Sequence, residues 1–293
     1  MINWPVELIQ DIAKRKCVLY LGSGVSANSI NDTGKHPATW AKFLTDIVSS
    51  KGHLLGTDKD LIISLIARED YLTSCELIVD HIGERVFGEL AADEYRRPGY
   101  RHHEIHEVIF SLDSKIVITP NIDKIYEQYA SMESHGTIVP KTFYDDDVAK
   151  YLRSQDFLII KAHGTVDSAE RIIFTHQQYA RARYQFETFY RILDALMLTH
   201  TFIFIGCGIA DPDIQLVLEN YNFSFPKCRP HFFITSEDNF ANQISNSLRN
   251  NRNLEIITYN NATGDHALLL SGLKDLKDKV ENERAVIASI TSW

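Results

Sequence analysis

The 293-residue sequence predicts a doubly wound α/β protein, a parallel sheet covered by helices on both faces, from three observations. Short, near-continuous apolar runs recur along the chain, as strands buried on both faces require. Helix-period patterns alternate with them. Several runs end directly in glycine, asparagine or histidine motifs, where open α/β sheets hold their ligands.

Taken in order, PVELIQDIAKRK reads as a first helix with Pro5 at its first position, and Cys17 to Leu21 (CVLYL) as the first strand. TWAKFLTDIVSS is a second helix. From about Lys51 to Arg101 the alternation stops and helix follows helix (DLIISLIARED, TSCELIVDHIGERVFGELAADEY), which predicts a helical insertion lobe over one side of the cleft. Lys115 to Thr119 (KIVIT) and Phe157 to Lys161 (FLIIK) are strands, with NIDKIYEQYA helical between them. Thr175 to His200 is a long helical stretch. Its Tyr179, Tyr184, Phe186, Phe189 and Tyr190 either stack on a ligand or pack in the core, and their near-helical spacing favours the core. Thr201 to Ile205 (TFIFI), His231 to Thr235 (HFFIT) and Leu254 to Thr258 (LEIIT) complete the strands, with DPDIQLVLENY and DHALLLSGLKDLKDKV as helices. The last residues, from about Glu281, fit either a closing helix or an interaction tail. The whole chain, 1–293, reads as one domain with the insertion at about 51–101.

Composition narrows the function classes. A net charge of −9, from 39 acidic against 30 basic side chains, argues against direct nucleic-acid binding, which needs clustered Lys and Arg. Cys17, Cys75, Cys207 and Cys228 form no C-x-x-C pair and have no nearby His at ligand spacing, so no metal site is expected, and a reducing cytoplasm fits best. The start of the sequence lacks a signal-peptide pattern, and no apolar run approaches the ~20 residues that span a bilayer. A soluble protein without membrane partners is expected.

Four motifs follow strands. Gly22-Ser23-Gly24-Val25-Ser26-Ala27 fits G-x-G-x-x-[G/A] in the context of strand, tight turn and helix, as in Rossmann-like dinucleotide sites, where glycines admit a pyrophosphate to the backbone. A tight strand-to-helix turn alone would look the same. A dinucleotide dehydrogenase should also carry an acid ~20 residues on, at the end of its second strand, and Asp46 lies within a helix pattern instead. Thr119-Pro120-Asn121-Ile122-Asp123 ends the second strand and is either a polar site or a helix cap. His163-Gly164 follows FLIIK, and a histidine there suits a general base near neutral pH. Gly206-Cys207-Gly208 follows TFIFI, with Asp211 and Pro212 reading as cap and first helical residue. Convergence of the four ends on one cleft favours a ligand site over four separate turns.

These residues resemble the sirtuin superfamily, specifically the sirtuin-like domains of bacterial anti-phage defence systems. The matching pieces are GSGVS (Gly22 to Ser26), TPNID (Thr119 to Asp123), KAHG (Lys161 to Gly164), IIFTHQQYARARY, GCGIADPDI (Gly206 to Ile214) and GDHALLLSGL (Gly264 to Leu273). The resemblance implies NAD as substrate and catalytic roles for Asn121 and His163. It also implies that Gly22, Ser23, Gly24, Ser26, Asp123, Gly206 and Gly208 line the NAD site, with GSGVS at the pyrophosphate and Asp123 toward the nicotinamide carboxamide. One departure matters: the paired C-x-x-C zinc ribbon of the deacylases is absent, and the helical stretch at 51–101 stands in its place.

The expected activity is therefore hydrolysis of the nicotinamide–ribose bond to nicotinamide and ADP-ribose, as an NAD-depleting effector of anti-phage defence. A protein deacylase, an ADP-ribosyltransferase and a non-catalytic NAD or ADP-ribose sensor are the alternatives. The resemblance further implies a homo-oligomer and a co-encoded partner such as a HerA-type ATPase or a short Argonaute.

Overall fold

A computed structural model describes residues 2–208, 212–225, 227–237 and 242–290. Seven strands form one sheet: β1 (Cys17–Leu21), β2 (Ile116–Thr119), β3 (Ile138–Thr142), β4 (Phe157–Lys161), β5 (Thr201–Ile205), β6 (His231–Ser236) and β7 (Leu254–Tyr259). Their order is β3-β4-β2-β1-β5-β6-β7 and every pairing is parallel. The chain winds outward on both sides of β1. The topological switch point lies between β1 and β5, where Leu19 faces Ile203.

Side-chain alternation divides the core into two layers. Cys17, Leu19 and Leu21 of β1 join Val117, Ile159, Ile203, Ile205, Phe232 and Ile234 on one face. Helices Val6–Ala13, Glu104–Ser111, Ile125–Glu133 and Ala267–Ile290 pack there. Val18 and Tyr20 join Ile116, Ile118, Leu158, Ile160, Phe202 and Phe204 on the other face. Helices His176–Gln185, Glu187–Thr199, Pro212–Ser224 and Asn242–Arg252 cover it. The doubly wound Rossmann-like α/β fold is thus present.

Several elements refine the sequence reading. β3 (IVPKT) escapes it because Pro140 and partial exposure break the apolar run, as suits an edge strand paired only with β4. Pro5 is an extended N-cap residue, ψ 137°, and not the first helical residue. The stretch Thr175 to His200 divides into two helices at Phe186, whose φ −117° and ψ 42° interrupt the helical path. Helix Pro212–Ser224 starts at its proline, while Asp211 lies outside the described residues. Residues after Glu281 continue the final helix to Ile290.

Helices Trp40–Lys51, Lys59–Ala67, Tyr71–Ile82 and Glu84–Tyr95 share a third core around Phe43, Ile62, Ile78 and Phe87. Ile122, from the loop after β2, and Val166, Ile172 and Phe174, from the segment after β4, insert into it. This packing ties the helical layer to the carboxyl ends of β2 and β4. No helix of the described residues is long and apolar enough to cross a membrane.

Candidate functional site

The sheet order β4-β2-β1-β5 brings four motif-bearing strand ends side by side. β1 leads into a one-turn helix, Ser23–Ser26, after Gly22. The turn packs against the end of β5: Gly22 N–H donates to the Ile205 carbonyl at 2.9 Å, and Gly24 N–H to the Gly206 carbonyl at 2.9 Å. A Cβ on Gly22 would stand 2.4 Å from the Gly206 carbonyl oxygen, and one on Gly206, at φ +66°, would stand 2.7 Å from Val25 N. These glycines thus let two protein loops meet. At Gly208, by contrast, an added Cβ meets nothing within 4 Å among the described residues.

Behind this turn lies a polar cluster. Thr119 Oγ1 donates to the Leu21 carbonyl at 2.7 Å and accepts from Asn121 N–H at 3.0 Å, which fixes the start of the β2 loop. The Asn121 amide nitrogen donates to the Gly22 carbonyl at 2.9 Å and to Ser26 Oγ at 3.1 Å. Ser26 Oγ donates onward to Asp123 Oδ2 at 2.8 Å, and Asp123 Oδ1 accepts from Ile125 N–H at 2.9 Å. Both Asn121 amide hydrogens are therefore committed, leaving its Oδ1 as the atom able to meet a ligand. Asp123 and Ser26 are buried, Asn121 and Gly206 half-buried, and Ser23, Gly24 and Gly208 exposed.

His163 follows β4, next to the β2 loop, because Ala162 N–H donates to the Thr119 carbonyl at 2.8 Å. Its ring is 5% exposed. Its Nε2 lies 3.2 Å from the Tyr179 hydroxyl, and the two rings meet edge to face at 5.1 Å. Tyr179, on helix His176–Gln185, is thus a core aromatic that also touches the site. Phe186 and Phe189 pack against Phe143 and do not join it, while Tyr184 is exposed. The closing motif Gly264 to Leu273 follows β7 and enters helix Ala267–Ile290, whose Leu269 and Leu273 pack in the core with Leu19 and Leu21.

Reading the sequence alone gave no role to Lys161 or Glu127, and for Tyr179 it favoured the core over a ligand. Lys161, the last residue of β4, lines a small pocket of mixed polar and apolar character with Ser26, Thr119, Asn121, Asp123 and Glu127. His106 lies close enough for the Asp123 charge to act on it, but burial dominates and pushes its imidazole down to about 4. Among the described residues, no three His, Cys, Asp or Glu side chains are grouped to hold a metal ion.

Comparison with known proteins agrees with this geometry. Residues 115–257, from the start of β2 into β7, match the SIR2-like domain family. The chain is 20% identical over 236 residues to "NAD(+) hydrolase ThsA" of Acinetobacter baumannii (strain 532279), covering 80% of this chain and 45% of that protein. It is 22% identical over 258 residues to the protein of that name from Enterococcus faecium, covering 84% and 50%. It is 24% identical over 225 residues to "Defense-associated sirtuin 2" of Bacillus subtilis, covering 74% and 20%. The chain spans half or less of the length of each of these relatives. Residues 115–257 match the SIR2-like domain family, and over most of its length this chain is similar to proteins named for NAD hydrolysis and for defence.

Proposed function

We propose that this chain is an NAD glycohydrolase, cleaving the nicotinamide–ribose bond of NAD to give nicotinamide and ADP-ribose in anti-phage defence. The observation that carries the reading is the hydrogen-bonded cluster of Asn121, Ser26 and Asp123 at adjacent strand ends, with His163 on the next strand. The names of the relatives support the substrate. On this reading the chain is one sirtuin-like NAD-binding domain, and the helices of about 51–101 are its insertion lobe.

In the proposed reaction the ribose–nitrogen bond breaks with its electron pair passing to the pyridinium ring, which leaves as neutral nicotinamide. Water adds to the ribose carbon and loses a proton. Asn121 Oδ1 accepts a hydrogen bond from that water or from a ribose hydroxyl, because the amide hydrogens already hold Gly22 and Ser26. His163 takes the proton as general base, its ring oriented by Tyr179. Gly22, Ser23, Gly24, Gly206 and Gly208 border the pyrophosphate and ribose. Asp123 fixes the loop through Ser26 and Ile125 and faces the nicotinamide end. No metal is assigned a role.

The assembly proposed with this activity is a homo-oligomer, engaged by a co-encoded partner such as a HerA-type ATPase or a short Argonaute, and it acts in the cytoplasm. The decisive experiment incubates purified protein with NAD, with and without an acetylated peptide and with any co-encoded partner, and resolves the products. Nicotinamide and ADP-ribose without peptide are expected. Turnover only with peptide, giving acetylated ADP-ribose, would establish a deacylase instead, and NAD binding without products under all conditions would leave a sensor.

A further inference from the structure

The end of β4 holds a buried cation that the proposed reaction does not use. Lys161 Nζ donates to the backbone carbonyl of Asp123 and forms an ion pair with Glu127, on helix Ile125–Glu133, at 3.1 Å. The two side chains are only 4% and 9% exposed, and among the described residues Glu127 Oε2 takes part in no hydrogen bond beyond this pair. Removing two charges from water costs several kcal/mol per ion, and apolar residues of similar volume often serve the fold equally well. Stability is therefore a weak reason for this pair to be here.

Position supplies a stronger one. A network runs from Lys161 to the Asp123 carbonyl, from the Asp123 carboxylate to Ser26, from Ser26 to Asn121, and from Asn121 to the Gly22 carbonyl. It crosses from the end of β4 through the β2 loop to the turn after β1. Lys161 also lies two residues before His163, so one side chain links the strand end bearing the histidine to the loop bearing the asparagine. An apolar pair would fill the same space but supply no donor to that loop.

We propose that Lys161, held by Glu127, is a positioning residue that sets the Asn121 amide against His163. The inference rests on the reading above that Asn121 and His163 carry the reaction. Misplacing a reacting group by ~1 Å costs up to ~100-fold in rate, so modest loosening of the loop should register in turnover.

The test compares wild type with Lys161→Met and with the double variant Lys161→Met/Glu127→Leu. The single variant leaves a carboxylate buried and unpaired, and lowered stability is expected. The double variant is expected to fold with a melting temperature close to wild type. Its kcat for nicotinamide release should fall at least about tenfold, while KM for NAD changes less than about threefold. An independent arm follows hydrogen exchange of the Asn121 side-chain amide in 15N-asparagine-labelled protein, with the signal assigned by its loss in Asn121→Asp. Exchange at least about tenfold faster in the double variant is expected. Wild-type kcat in a folded double variant, unchanged Asn121 exchange, or a double variant that fails to fold would each overturn the proposal. Absence of NAD turnover in the wild type would defeat the hydrolase reading alone, since the exchange arm still decides the positioning role.

Discussion

At the scale of single residues, the close contact between the turns after β1 and β5 gives Gly22 and Gly206 a packing role of their own. Gly22→Ala forces a Cβ to 2.4 Å from the Gly206 carbonyl, and a melting-temperature loss equivalent to about 1–3 kcal/mol is expected. Gly208→Ala meets nothing within 4 Å among the described residues and should leave stability within about 0.5 kcal/mol, so Gly208→Leu is the cleaner probe of NAD access. Unchanged NAD affinity in folded Gly208→Leu would remove that residue from the site. For His163→Ala, nicotinamide release should fall about a hundredfold or more with NAD affinity retained, and wild-type turnover would end the general-base role. The placement of Asn121 and His163 just after strands was legible because each closely follows an apolar run. Lys161 was not, since a lysine at a strand end reads as the point where the chain meets water, and only the fold places Glu127 beside it.

Among the elements, a helix and a strand each depend on a neutral buried histidine. His106 Nδ1 lies 3.0 Å from His103 N, closing a capping box at the start of helix Glu104–Ser111. His231, opening β6, accepts from Phe202 N–H of β5 at 3.1 Å. Both Nε2 atoms are buried without a hydrogen-bond partner among the described residues, and burial pushes both imidazoles from 6.5 down to about 4. The folded state therefore binds fewer protons than the unfolded chain between these values. Stability is fully present above pH ~6.5 and is lost as pH falls toward 4, on the order of 3 kcal/mol per histidine at the limit. Melting temperatures from pH 7 to pH 5 should fall, and less steeply in His106→Gln; a flat profile would contradict this account. Strand legibility followed burial in the same way. Six strands announced themselves as apolar runs, whereas β3, an edge strand carrying Pro140, has no such run to show.

For the whole molecule, periodicity located the strands but not their neighbours, and the site depends on the neighbours: β4, β2, β1 and β5 must be adjacent for their ends to meet. If NAD binds across these ends, it should stabilise the fold by about 2.7 kcal/mol at a hundredfold excess over Kd, so that the melting temperature rises with NAD concentration. No concentration dependence in calorimetry would argue against binding there. The central place of β1 also governs how the chain comes to be folded. Val18 pairs with Ile116 on one side and Phe202 on the other, so β1 receives its last neighbour more than 180 residues after it is synthesised. At ~5–20 residues per second on the ribosome, β1 waits roughly 10–40 s with one apolar edge open. Contacts this distant also slow refolding, because the loops must close before their pairings contribute. Pulse-labelled hydrogen exchange during refolding should find β1 protected no earlier than β5. The nascent chain, with β1 unfinished for that interval, is the species in which aggregation and chaperone capture will be decided.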